Sequence, residues 1–247
     1  MSPTRRCAVV AHRGGGGEVA ENTWSAVEHV AALGLTWMET DLRATADAVV
    51  VLSHDADLAR TAGDPRRIAE LTWEELAAVD AGDGRPFVRL DQALTAHPGI
   101  SFNIDLKDSA VLQPALQAVR AADALGRVRF ASFSARRLAV LRRQEPRATT
   151  SLGVGDVARL MVRSQAALPV RRGRRAGSNE QVDAVQVPIS FHRIPVVTPR
   201  FISQAHASGM EVHVWTVDDP EQMRALANSG VDAVITDRPA LALDVLG

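Results

Sequence analysis

Leu35-Thr36-Trp37-Met38-Glu39-Thr40-Asp41-Leu42 reads as a strand whose far end carries two acidic residues, two positions apart. On a strand, residues i and i+2 point to the same face, so Glu39 and Asp41 converge on one point. Two like charges held together are unfavourable unless a cation neutralises them or one is protonated. A hard divalent ion with oxygen ligands, Mg²⁺ or Ca²⁺, is the economical answer. The plainer reading is a solvated strand face on which the carboxylates alternate with apolar neighbours. Three further clusters lie nearby, His12-Arg13-Gly14, Glu21-Asn22-Thr23 and His54-Asp55, a concentration of chemistry that a purely structural segment rarely needs.

Working outward, the spacing predicts strands over residues 8–11, 35–42, 100–106, 128–132, 150–152, 184–187, 211–215 and 233–236, short apolar runs of the kind buried in parallel sheets. A further run at 49–52 delivers His54. Helical patterns fall between the strands. One starts at Trp24, capped by Asn22 or Thr23, and ends near Gly34; others cover 111–125, 134–143, 198–208 and 219–228. Thr72 and Glu75 have capping-box spacing, residues 14–17 are four glycines that read as a flexible connection, and 80–89 is a loop. Strands alternating with helices argue a parallel sheet, and eight of them in 247 residues argue one closed (β/α)₈ barrel spanning 1–247 without a domain break. In such a barrel the active residues sit at the C-terminal ends of strands. His12, Glu39, Asp41, Asp105, Lys107, Trp215 and Asp237 all fall at such ends, so they can share one mouth.

Composition narrows the function classes. Hydrophobic residues make up 46% of the chain, enough for a sizeable core, and the net charge of -1 gives no drive toward nucleic acid. The single cysteine, Cys7, excludes an internal disulfide. No stretch reads as a signal segment or a transmembrane span, which points to a cytoplasmic enzyme. The basic run Arg171-Arg172-Gly173-Arg174-Arg175 reads as a solvated loop, with weak peripheral contact to an anionic membrane as its alternative use. Among 28 basic residues Lys107 is the one lysine, which suggests that a compact ammonium is needed there. Asn103, Asp105 and Lys107 share a strand face by the same i, i+2 rule.

The motifs together resemble the glycerophosphodiester phosphodiesterase family, phospholipase C-like barrels with His-Arg-Gly, Glu-Asn-Thr, Glu-x-Asp and His-Asp in this order. The chain has them as Ala11-His12-Arg13-Gly14, Ala20-Glu21-Asn22-Thr23, Glu39-Thr40-Asp41-Leu42 and His54-Asp55, the last followed by Leu58-Ala59-Arg60-Thr61. Val214-Trp215-Thr216 and Thr236-Asp237-Arg238-Pro239 extend the likeness to the end of the chain.

The resemblance implies metal-dependent hydrolysis of glycerophosphodiesters to sn-glycerol 3-phosphate and an alcohol. It implies His12 and His54 as general acid and base, one divalent cation on Glu39, Asp41 and Asp105, and phosphate contacts from Arg13 and Lys107. Trp215 becomes a wall against the glycerol moiety, or otherwise a bulky core residue. Glu21 and Asn22 shape the loop, Asp55 holds His54 or a metal-bound water, and Asp237 is structural. Three departures stand out: Asp105 where the family usually has glutamate, Ala20 where it has proline, and Ala48 where a turn glycine is common. Two alternatives stay beside the main reading. One is a lysophospholipase D-type activity, which a longer apolar groove beside the site favours; the other is a barrel that binds phosphodiesters without cleaving them. The sequence leaves oligomeric state open.

Overall fold

The computed structural model describes residues 6–166, 181–192 and 194–247. Nine strands form one sheet, and one of them, Val50–Leu52, runs antiparallel to its neighbour, leaving eight parallel strands. We number these β1 (Ala8–His12), β2 (Trp37–Ala44), β3 (Ser101–Leu106), β4 (Val128–Ala131), β5 (Thr149–Ser151), β6 (Gln181–Val187), β7 (Glu211–Val214) and β8 (Ala233–Thr236). β1 pairs with both β8 and β2, which closes the barrel that the sequence predicts.

The alternation of side chains explains how a closed sheet can be apolar outside and charged within. From β2 and β3, Met38, Leu42, Phe102, Ile104 and Leu106 point outward into the main core, packed among the surrounding helices. Among the described residues a small apolar cluster, Val10, Ala233 and Ile235 against Trp37 and Trp215, fills the middle of the barrel. Its amino-terminal floor is polar. There the buried Arg129 guanidinium donates to Asp183 at 2.6 Å and stands 4.7 Å from the Trp37 ring centroid, while His213 and Glu211 pair at 3.0 Å. His213 therefore belongs to the floor and not to the mouth.

Register decides which polar groups meet at the carboxyl end. β1 and β2 align His12 with Glu39, and β2 and β3 align Glu39 with Asn103 and Asp41 with Asp105. Neighbouring strands lie about 4.8 Å apart, so these groups are brought together by the hydrogen-bond ladder itself.

Between β2 and the helix Leu90–Ala96 the chain leaves the barrel on an excursion with its own core, Val51, Leu58, Ile68, Leu71, Leu76 and Phe87. Ala48 turns its hairpin at φ 64, the left-handed region where a glycine is easier to place. Thr72 and Glu75 form the capping box expected there.

Some local expectations change. The helix expected over 111–125 ends at Ala121, because Asp123 turns left-handed (φ 48) and the Ala124 amide bonds back to the Val119 carbonyl. Thr23, not Asn22, caps the first helix: its hydroxyl accepts from the Ala26 amide at 3.2 Å. The glycines at 14–17 pack tightly instead of forming a loose connection. At Gly14, with φ +83, an added Cβ would come within 2.5 Å of the Ala26 Cβ. The arginine run at 171–175 lies outside the described residues. Among those described, no helix is long and apolar enough to cross a membrane.

Candidate active site

His12, Arg13, Glu39, Asp41, His54, Asp105, Lys107 and Trp215 line one cavity of about 530 Å³ at the carboxyl mouth of the barrel. Every group assigned to catalysis, phosphate, metal or pocket from the sequence is thus gathered in one place. Glu21, Asn22 and Asp55 lie behind it and touch residues that line it.

The centre of the site is an ion cluster. Lys107 Nζ stands 2.7 Å from Asp41 Oδ1 and 2.8 Å from Asp105 Oδ2, bridging the two strands. Burial works against the ammonium, but the two carboxylates outweigh it and raise the Lys107 pKa. Arg13 Nε lies 3.2 Å from the other Asp41 oxygen, and its Nη1 lies 3.1 Å from Glu21 Oε1. Glu39 is buried beside Asp41, with the Arg13 amide donating to its Oε2 at 3.2 Å. Burial first, then the Asp41 charge, push its pKa up to about 8. Burial also raises that of Asp105, despite the neighbouring lysine.

These donors fit a hard cation. Asp105 Oδ1 and Asn103 Oδ1 are buried with no hydrogen-bond partner, Asp41 Oδ2 faces the Arg13 guanidinium at 3.2 Å, and burial beside Asp41 makes Glu39 favour its proton. Oxygen ligands with negative charge are what Mg²⁺ and Ca²⁺ take. Among the described residues, no three acidic, histidine or cysteine side chains stand preassembled as an ion cage. Asp41 and Asp105 instead share the Lys107 ammonium. The shorter side chain at Asp105 still reaches the cluster.

The two histidines are held alike. His12 Nδ1 lies 2.7 Å from Asp237 Oδ1, and His54 Nδ1 lies 2.8 Å from Asp55 Oδ1. A carboxylate can only accept, so in each pair Nδ1–H donates and Nε2 is left for other work. His12 Nε2 lies 3.8 Å from Glu39 Oε2. Burial disfavours a charged His12, but the Asp237 hydrogen bond and the Glu39 charge prevail, and its pKa rises above the ordinary value. Arg43 fixes the other ring's backbone by donating to the His54 carbonyl at 2.9 Å.

Three residues gain roles that the sequence did not assign. Asp237, expected to be structural, is the partner of His12; Asp218 braces it, accepting from the Asp237 amide at 2.8 Å and the Thr236 hydroxyl at 2.9 Å. Its place just after β8 was the available signal. Arg60 ties the excursion to the barrel mouth, with Nε 2.6 Å from Asp55 and Nη2 2.5 Å from Glu21. Asn22 is buried with φ 58, and its side-chain oxygen accepts from the Thr40 hydroxyl at 2.7 Å, which locks the loop against β2. Trp215 packs edge-on against Phe133, with centroids 6.1 Å apart.

Two imidazoles, buried carboxylates and two cations line the mouth of a (β/α)₈ barrel, a set of groups suited to an enzyme that works on an anionic ester. Residues 12–241 match the model of the glycerophosphoryl diester phosphodiesterase family, and the chain belongs to that family. It is 36% identical over 229 residues to the "Probable glycerophosphodiester phosphodiesterase 2" of Mycobacterium tuberculosis, covering 91% of this chain and 84% of that one. A solved structure from Silicibacter pomeroyi DSS-3 superposes with a TM-score of 0.82 at 26% identity, covering 99% of this chain and 94% of the other. An Oleispira antarctica phosphodiesterase, solved with the product sn-glycerol-3-phosphate, shares the fold at a TM-score of 0.78 and 21% identity, over 97% of this chain and 96% of its own.

Proposed function

We propose that the protein hydrolyses glycerophosphodiesters to sn-glycerol 3-phosphate and an alcohol, with His12 and His54 as the proton-transfer pair. The observation that carries this is the matched pair of imidazoles, each with Nδ1 held by a carboxylate and both lining the cavity that contains Lys107. The product bound to the Oleispira enzyme supports the same product here.

A phosphodiester resists attack because its own negative charge repels nucleophiles. Arg13 and Lys107 contact the phosphate oxygens and stabilise the charge that grows on them in the transition state. Glu39, Asp41 and Asp105 would hold a divalent cation, Mg²⁺ or Ca²⁺, which would add Lewis-acid neutralisation of that charge. One imidazole takes the proton from the nucleophile at Nε2, and the other delivers a proton to the departing alkoxide. The nucleophile is water, or the substrate's own glycerol hydroxyl with a cyclic phosphate formed first; either hands its proton to the same nitrogen. Asp237 and Asp55 keep the two rings oriented throughout. Trp215 walls the glycerol moiety. The protein acts as one domain in the cytoplasm.

The test is release of glycerol 3-phosphate from a panel of water-soluble glycerophosphodiesters, with Mg²⁺, with Ca²⁺ and with chelator, and with ³¹P NMR to detect a cyclic phosphate. Chelator-sensitive release is expected. No release with either ion would overturn the reading and favour a barrel that only binds phosphodiesters.

A further inference from the structure

The carboxylates that hold the two imidazoles stand on unequal footing. Asp237 directly follows β8, and its amide is fixed on Asp218 at 2.8 Å. Asp55 sits instead in a bend of the excursion, where the Ser53 hydroxyl donates to its carbonyl at 3.2 Å. Among the described residues its carboxylate has two donors, the His54 ring at Oδ1 (2.8 Å) and Arg60 Nε at Oδ2 (2.6 Å). Arg60 lies on the short helix Ala59–Ala62, and its Nη2 reaches to 2.5 Å from Glu21 Oε1. The same Glu21 oxygen accepts from Arg13 Nη1 at 3.1 Å, and Arg13 follows β1. One guanidinium thus joins the carboxylate behind His54 to a carboxylate anchored on the barrel. Arg60 itself stays outside the cavity wall.

A single hydrogen bond to the ring leaves the Asp55 side chain free to turn about its own bonds, whereas donors on both oxygens fix it. A guanidinium is a rigid planar fork, so Nε and Nη2 point in set directions and one side chain can hold two carboxylates. Asp55 stays charged in this arrangement. Burial works against the charge, but hydrogen bonds from His54 and Arg60 prevail and hold its pKa below the usual carboxylate range. Arg60 is 52% exposed, and ion pairs so close to solvent add little to fold stability. The double tether therefore acts on geometry. We propose that Arg60 is a positioning residue for the hydrolysis: it braces Asp55 against Glu21 and thereby holds the His54 ring with Nδ1–H on Asp55 and Nε2 free for proton transfer. The proposal rests on the phosphodiesterase reading above.

The experiment measures kcat and KM for a water-soluble glycerophosphodiester in Arg60→Met, made both in the parent and in His54→Ala. In the parent background kcat is expected to fall about ten- to a hundredfold, the range for partners that orient a working imidazole, with KM little changed and the melting temperature near that of the parent. In His54→Ala, where the ring is gone, the same substitution is expected to cost no more than about twofold further, because residues that act through one group are not additive. An equal fall in both backgrounds overturns the proposal. Arg60→Lys keeps the charge without the fork and is expected to recover less than about half of the loss on a logarithmic scale; full recovery would show that charge alone suffices and overturns the bracing. ¹⁵N NMR of the His54 ring needs no substrate. A single Nδ1–H tautomer in the parent and a mixture in Arg60→Met support the proposal, and identical ring spectra overturn it. If the parent cleaves no diester at all, the phosphodiesterase reading fails, and the ring spectra then judge the role of Arg60 by themselves.

Discussion

Asp237 Oδ1 lies 2.7 Å from His12 Nδ1, joining the residue after the last barrel strand to the end of the first. Barrel closure alone makes this contact, since the two residues are 225 positions apart. Asp237→Asn keeps the shape but lets the amide donate to Nδ1, which favours the tautomer with the proton on Nε2. Turnover is expected to fall by about a hundredfold or more. KM changes little, and ¹⁵N NMR of the His12 ring reports the altered tautomer in the absence of substrate.

His12→Ala and His54→Ala each remove one end of the proton relay. General acid–base catalysis contributes about 10²–10⁴-fold, and each variant is expected to lose that much in kcat. Melting temperatures and circular dichroism stay near those of the parent protein. Full activity in either variant would sink the acid–base assignment.

Lys107→Met leaves Asp41 and Asp105 facing each other without the ammonium that bridges them at 2.7 and 2.8 Å. In chelator the variant is expected to lose about 3 kcal/mol of stability, the range for removing one partner of a buried ion pair. Added Mg²⁺ or Ca²⁺ is expected to raise its melting temperature more than that of the parent, because the cation no longer competes with an ammonium for Asp41 and Asp105. An equal response in both proteins would argue against an ion on these residues.

The barrel floor predicts a pH dependence of stability. His213 is buried beside Glu211, Gln186 and Arg129, and burial lowers its pKa below the ordinary 6.5 in spite of Glu211. Below that value the unfolded chain takes up a proton that the folded chain refuses, so this contribution is whole above pH 6.5 and shrinks as the pH falls. His12 works in the opposite sense: its raised pKa adds stability at low pH that fades as the pH climbs past the folded value. His213→Gln is expected to flatten the loss in urea midpoint between about pH 7 and 5.

The parts of the site that were legible in the sequence are those carried by one strand. Glu39 with Asp41, and Asp105 with Lys107, follow from the two-residue period, and their positions at strand ends follow from barrel geometry. What stayed hidden depends on pairing between distant segments or on burial. Asn22 and Thr23 are equally good caps by residue type, and only the interior position of Asn22, against Thr40, separates them. Asp237 looked structural because nothing near it in sequence needs a partner. Arg60 shows its purpose only when the excursion folds back to Glu21.

The two imidazoles belong to parts of the molecule with separate cores. His12 is fixed in the sheet by the pairing of β1, whereas His54 rides on the excursion packed around Leu58, Ile68 and Phe87. Arg43 and the Arg60 bridge hold that excursion over the mouth. Yet the run Val50–Leu52 pairs with β2, and the Ser53 amide donates to the Asp41 carbonyl at 2.9 Å, so the backbone that delivers His54 is hung on the same strand that carries Glu39 and Asp41. One strand thereby sets both the acidic cluster and the second imidazole, and a shift in the register of β2 would displace the two together.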